Sequence, residues 1–315
     1  MSNGFNTELK AQQEWSWLLT IWLFLGGSGS GLFVLYLTFG LPSFYGAVAL
    51  ALILVGCIDL LVELGSPFRA WRTVLRAGTS WLSRGACCVS LFIVAAALSV
   101  APRLEILSSF VPFHDSLAVQ VLGWFAGLCA VVIILYPAFF FRSTSRAVPF
   151  WNTPLLPLFF VSYAVLGGAG VMLLLTPYVS APSQVETLAI ALIVLNAVMV
   201  AIHLADMRRA DGSAAESVRL LNRAPLSWLF WIGVVLIGMV LPLVEIVFLR
   251  STLALAGAFI LVGGFLFRYC LLKAGVYVPI SVVPAGVDLS RLNRTSTNFE
   301  REYAGMVTQR AGRQG

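Results

Sequence analysis

The chain is predicted to be an all-α polytopic membrane protein, with eight transmembrane helices in two four-helix bundles. Three observations carry that prediction. Hydrophobic residues make up 59% of the sequence and charged residues 11%, against roughly 25% charged in ordinary soluble domains. The segment from Trp17 to Phe39 holds no charged side chain, and a helix of roughly 20 apolar residues crosses a hydrocarbon core about 30 Å thick. Apolar runs of similar length then recur at about 43–63, 80–100, 116–141, 153–176, 184–204, 225–249 and 252–275.

The first span sets the theme. Gly26, Gly27, Gly29 and Gly31 alternate with Ser28 and Ser30 in its middle. In water such a run weakens a helix, but in lipid small residues let a second helix or a flat ligand reach the backbone. Both uses are open from the sequence alone. Residues before Trp15 include Glu8, Lys10 and Glu14 and show no basic run followed by a small-residue cleavage site, so no removable signal peptide is expected.

An even number of spans places both termini on one side. The connections on that side carry Arg69, Arg72 and Arg76, then Arg142 and Arg146, then Arg208, Arg209, Arg219 and Arg223, and finally the arginines of the tail. The opposite connections carry only Arg103 and Arg250. By the positive-inside rule the termini and the 205–224 connection are cytoplasmic, in an inner (cytoplasmic) membrane. The net charge of +6 is thus a matter of orientation and lipid headgroups rather than nucleic-acid binding.

Leu25-Gly26-Gly27-Ser28-Gly29 is echoed by Leu166-Gly167-Gly168-Ala169-Gly170 in the fifth span. With four spans between the copies, two halves of parallel topology are expected. The organisation expected is a first bundle over 1–150 with the candidate site, a second over 151–280, and a polar cytoplasmic tail over 281–315.

Five cysteines lack CxxC spacing and only two histidines, His114 and His203, are present. Neither an iron–sulfur site nor a bis-histidine haem is expected, and no metal. Ionisable groups within a membrane are costly and mark function. Asp59 and Glu63 lie four apart near the end of the second span, on one helix face and roughly 6 Å apart along the axis. Such a pair suits holding and passing a proton. Arg84, one turn into the third span, is expected to pair with Glu63 or Asp59. Trp15, Trp17, Trp71, Trp81 and Tyr136 are expected at a similar depth, giving carboxylates, arginine and rings beside a glycine-lined helix, with Trp15, Trp22, Gly27, Glu63, Arg69, Arg84 and Tyr136 as the candidate ligand contacts. That combination fits a quinone headgroup, which needs polar partners for two oxygens and apolar walls for its ring. In the second half, His203, Asp206 and Asn196 could extend a proton path, Glu245 could pair with Arg250, and Arg268 and Lys273 are expected to snorkel to the interface.

Taken together, Trp15 with Leu23–Gly31, Glu63-Leu64-Gly65-Ser66-Pro67-Phe68-Arg69-Ala70-Trp71-Arg72, Ser80-Trp81-Leu82-Ser83-Arg84-Gly85, Trp151-Asn152-Thr153-Pro154-Leu155-Leu156-Pro157 and Arg268-Tyr269…Lys273-Ala274-Gly275-Val276-Tyr277 resemble the NrfD/PsrC family. The resemblance implies a quinone-interacting membrane anchor of a multi-subunit, molybdenum-type oxidoreductase. It implies exchangeable menaquinone or ubiquinone, no haem, and a ferredoxin-like iron–sulfur partner leading to a molybdopterin catalytic subunit. The sequence departs from the family in having Glu63 where aspartate is common, and no histidine on the first helix. A secondary transporter or proton channel on a duplicated bundle is the alternative, since transporters also use buried carboxylates and glycine-broken helices.

Overall fold

Among the described residues, eight helices are long and apolar enough to cross a membrane. They come from a computed structural model that describes residues 9–63, 78, 80–104, 116–145, 147–179, 182–210, 212–223, 225–249 and 252–278. The expected roles of Arg69, Trp71, Arg72, Arg76, His114, Arg146 and Arg250, and of the polar tail, lie outside the described residues.

The spans are α1 (Trp17–Thr38), α2 (Ser43–Glu63), α3 (Trp81–Val100), α4 (Leu117–Ser143), α5 (Leu155–Leu174) and α6 (Ser183–Arg209). A short helix α7 (Ser213–Asn222) is followed by the last two spans, α8 (Leu229–Leu249) and α9 (Leu253–Lys273). Residues Leu9–Val278 form one compact unit. Serines start several of the helices. Ser16 accepts from Leu18 N–H and Ser80 from Ser83 N–H, satisfying amides that have no partner inside the helix.

Two rings of contact run through the unit. In the first, α1 meets α2, α2 meets α3, α3 meets α4, and α4 returns to α1; in the second, α5, α6, α8 and α9 close in the same way. The rings join chiefly through α1 against α5. These two helices are the most enclosed spans, whereas α2 is mostly bare on its outer side.

The glycines explain why α1 and α5 come so close. A Cβ on Gly31 would collide with the Ala164 carbonyl, and one on Gly168 would collide with the backbone of Gly31 and Leu32. Gly167 makes room for Ser28 in the same crossing. The two echoed glycine segments are therefore the two sides of one helix crossing, where the absence of side chains gives close backbone packing in lipid. A second crossing of this kind joins Gly238 on α8 to Gly263 on α9.

The seventh span is wound as a π-helix over Leu229–Val240 and Glu245–Leu249. Pro242 interrupts it; the ring carries no N–H, and just before it the Leu241 N–H reaches five residues back, to Leu236. The 205–224 connection, read from sequence only as a long loop, contains α7. Its buried residues Ala214, Ser217, Val218 and Leu221 follow the spacing of one helix face, and Arg219 and Asn222 face outward.

The two ends of the compact unit meet. Lys10–Ala11 (β1) pairs antiparallel with Val276–Tyr277 (β2). Gln12 N–H donates to the Gly275 carbonyl at 2.8 Å and its side-chain amide to the Leu272 carbonyl at 3.1 Å.

Candidate functional site

The residues picked out from the sequence separate into a buried centre and a more open edge. At the centre, the Trp22 indole N–H donates to the Tyr136 hydroxyl at 2.7 Å, with both side chains buried. Two glycines make this pairing possible. Gly85 on α3 leaves space for the Tyr136 ring, which an added Cβ would meet at 2.6 Å. Gly56 on α2 does the same for the Trp22 ring, at 2.9 Å. Asp59, three residues after Gly56, is on the same face of α2. Its Oδ2 is buried and has no hydrogen-bond partner among the described residues.

Glu63 sits differently. Its Oε1 accepts a 2.6 Å hydrogen bond from Ser16 Oγ, the residue that caps α1. A carboxylate at a helix N-terminus is favoured by the helix dipole, which gives Glu63 a structural role at the end of the span.

Arg84 is exposed, donates to the Gly78 carbonyl at 2.9 Å and lies over the Trp81 ring at 4.6 Å. Among the described residues Arg84 makes no ion pair with Glu63 or Asp59, contrary to expectation. The reason is packing: α2 leans far more on α1 than on α3, and Arg84 points away from the bundle interior. Trp15 packs against other aromatic side chains. It stacks on Trp151 at 5.1 Å and on Phe140 at 5.5 Å, forming an aromatic plug over the end of the helices.

Gly27 faces an arginine rather than open space. Arg268, only 3% exposed, lies so that a Cβ on Gly27 would come within 2.9 Å of Nη2. Its Nη1 donates to the Gly264 carbonyl at 3.0 Å, and Nε and Nη2 have no partner among the described residues. Phe24 and Tyr163 present their ring faces at 5.7 and 5.9 Å. The expectation that Arg268 snorkels is thus overturned, because it is held inward by its own helix backbone and two rings. Lys273 donates to the Trp15 carbonyl at 2.8 Å instead of reaching outward. Sequence reasoning missed Arg268 because the position is near a helix end. The paired glycines Gly263-Gly264 one turn earlier were the available signal that this face of α9 is buried.

The cavities beside Gly27 are small. One is bounded by Trp22, Gly26, Gly27 and Phe160, the other by Leu23, Phe160 and Arg268, and each has about 10 Å³. That is room for a water molecule and not for a ring. The glycines of α1 serve helix packing.

In the second ring of helices, Ser162 Oγ donates to Asn196 Oδ1 at 2.6 Å. His203 is buried between Phe150 and Phe159, and neither ring nitrogen has a partner among the described residues. Asp206 is exposed. Glu245 is buried and accepts from Thr252 N–H at 3.2 Å. Among the described residues no cluster of histidine, cysteine, aspartate and glutamate could hold a metal, and all five cysteines are free.

Against this geometry, the family model described as Polysulphide reductase, NrfD matches residues 6–280. The chain belongs to the NrfD family. Protein NrfD of Escherichia coli (strain K12) is 26% identical over 313 residues, covering 83% of this chain and 94% of the relative. Members of the NrfD family are membrane subunits of oxidoreductase complexes. The eight spans agree with that character.

Proposed function

We propose that this chain anchors a multi-subunit oxidoreductase and exchanges electrons and protons between membrane quinone and an iron–sulfur partner, which leads to a molybdopterin catalytic subunit. The observation that carries the reading is the buried Trp22–Tyr136 hydrogen bond together with the Asp59 carboxyl, whose buried Oδ2 has no hydrogen-bond partner among the described residues. The donor set fits a quinone headgroup. Tyr136 accepts from Trp22, so its own hydroxyl proton is available to a carbonyl oxygen. Asp59 is positioned to hold and pass a proton, as two-electron quinone chemistry requires. Quinone, when bound, supplies the two-electron, two-proton redox chemistry.

Each residue of this chain then has a defined part. Trp22 fixes the Tyr136 hydroxyl. Gly85 and Gly56 hold the two rings in register. The bare outer side of α2, with Val55, Ile58 and Val62 exposed, offers an approach from lipid. Glu63, tied to Ser16 and one turn from Asp59, is the relay to the membrane surface. Arg84 lies at the rim of this end rather than at the ring. The arginine-rich face is cytoplasmic in this reading, and the partner docks there, because electron transfer requires its cluster near the quinone.

The test is Asp59→Asn in the assembled complex. Quinone-linked turnover should fall on the order of a hundredfold, the usual worth of a positioned proton-transfer group, with the partner subunits still co-purifying. Unchanged turnover would remove Asp59 from the site.

A further inference from the structure

Outside the first ring of helices, three arginines converge on one groove. Arg208 at the end of α6 and Arg219 and Arg223 on and after α7 line it with Ala215, Val218 and Asn222, enclosing ≈ 690 Å³. No carboxylate is among the described lining residues. Arg219 is 3.4 Å from Glu216, which offsets one of three positive charges.

The groove lies at the level of lipid headgroups. Trp228 and Trp231, five and eight residues after Arg223, are both largely exposed at the start of α8. Trp17 and Trp81 are exposed at the starts of α1 and α3, which by chain order begin on the same membrane face. Exposed tryptophans gather at the membrane–water interface. The lining is suited to this boundary, with guanidinium groups for phosphate and Ala215 and Val218 for the first methylenes of a chain. Arginine is the side chain whose planar fork matches phosphate oxygens.

We propose that the Arg208–Arg219–Arg223 groove is a binding site for the phosphate headgroup of an anionic phospholipid. The site seats α7 on the membrane surface and is separate from the quinone-linked centre. A diphosphate lipid suits it best, since two phosphates can share three guanidinium groups.

The experiment is native mass spectrometry of the full complex released from nanodiscs of phosphatidylcholine with and without cardiolipin. Wild type is compared with the Arg208→Gln, Arg219→Gln, Arg223→Gln variant and with Arg142→Gln as a control at another span end. Cardiolipin retained on wild type should drop on the order of a hundredfold in the triple variant, at roughly fivefold per arginine, and be unchanged in the control. Equal retention by the triple variant, or equal loss in the control, overturns the site. Displacement by inorganic phosphate without any retained lipid also overturns it, since the ligand would then be a free anion. Loss of a partner subunit from the variant with lipid retention intact would reassign the groove to an acidic protein surface. Circular dichroism of the variant checks that these exposed substitutions leave the fold in place.

Discussion

Trp22 and Tyr136, 114 positions apart in sequence, share a 2.7 Å hydrogen bond inside the first ring of helices. Each ring rests where a neighbouring helix has a glycine. Tyr136→Phe keeps the ring and removes the acceptor, leaving a buried indole N–H unpaired at a cost of about 1–3 kcal/mol. Its thermal midpoint should fall by a few degrees, and quinone-linked turnover should fall further than stability alone would explain. Turnover that tracks the loss of folded protein and no more would make the pair purely structural.

Gly31 on α1 touches the Ala164 carbonyl on α5. Gly31→Ala should therefore force the two helices apart and reduce the yield of folded protein in detergent. Gly123→Ala is the matching control, because a Cβ there meets its nearest atom at an ordinary 3.7 Å. Equal behaviour of the two variants would mean that the crossing tolerates separation.

Arg268 is a buried guanidinium with two nitrogens lacking partners among the described residues. Replacing a buried charge by an apolar side chain of similar length is often neutral or stabilising, while truncation leaves a void. Arg268→Met is expected to melt at or above the wild-type midpoint, and Arg268→Ala below it by an amount equivalent to about 2–4 kcal/mol. Both melting low would show that the charge itself is compensated.

Tyr277 donates to Glu14 at 3.2 Å across the β1–β2 pairing. Burial, and then the charge and hydrogen bond of Glu14, hold its hydroxyl above the ordinary 10.0. A raised folded value stabilises the protonated form, so the contribution is complete below pH 10 and disappears as pH rises through the folded value. Protection factors of the Lys10 and Val276 amides, taken relative to intrinsic exchange at each pH, should fall in that alkaline window, and Tyr277→Phe should abolish that fall.

Much of this architecture was legible from residue order. The spans are marked by length and the absence of charge, which is why the expected 184–204 and the observed Ser183–Arg209 differ mainly at an arginine-bearing end. The glycine echo was legible as a pattern, but which partner it served was not. Whether Gly31 meets a ring or a carbonyl depends on a tertiary crossing that no local signal encodes. Arg84 and Arg268 show the same limit in opposite directions. Both lie one or two turns inside a span end, and only the packing of α3 and α9 decides that the first faces out and the second in. Trp22 and Tyr136 each stood out as candidate contacts, but their pairing depends on how α1 packs on α4, which residue order does not encode.

The most direct measurement of where quinone binds is photo-crosslinking of the assembled complex with an azidoquinone, followed by peptide mapping. Adducts are expected on α2 and α4 around Asp59 and Tyr136, with loss of labelling in Tyr136→Phe and competition by native quinone. Adducts confined to α6, α8 or the outer ends of the spans, with labelling unaffected by that substitution, would place the site elsewhere.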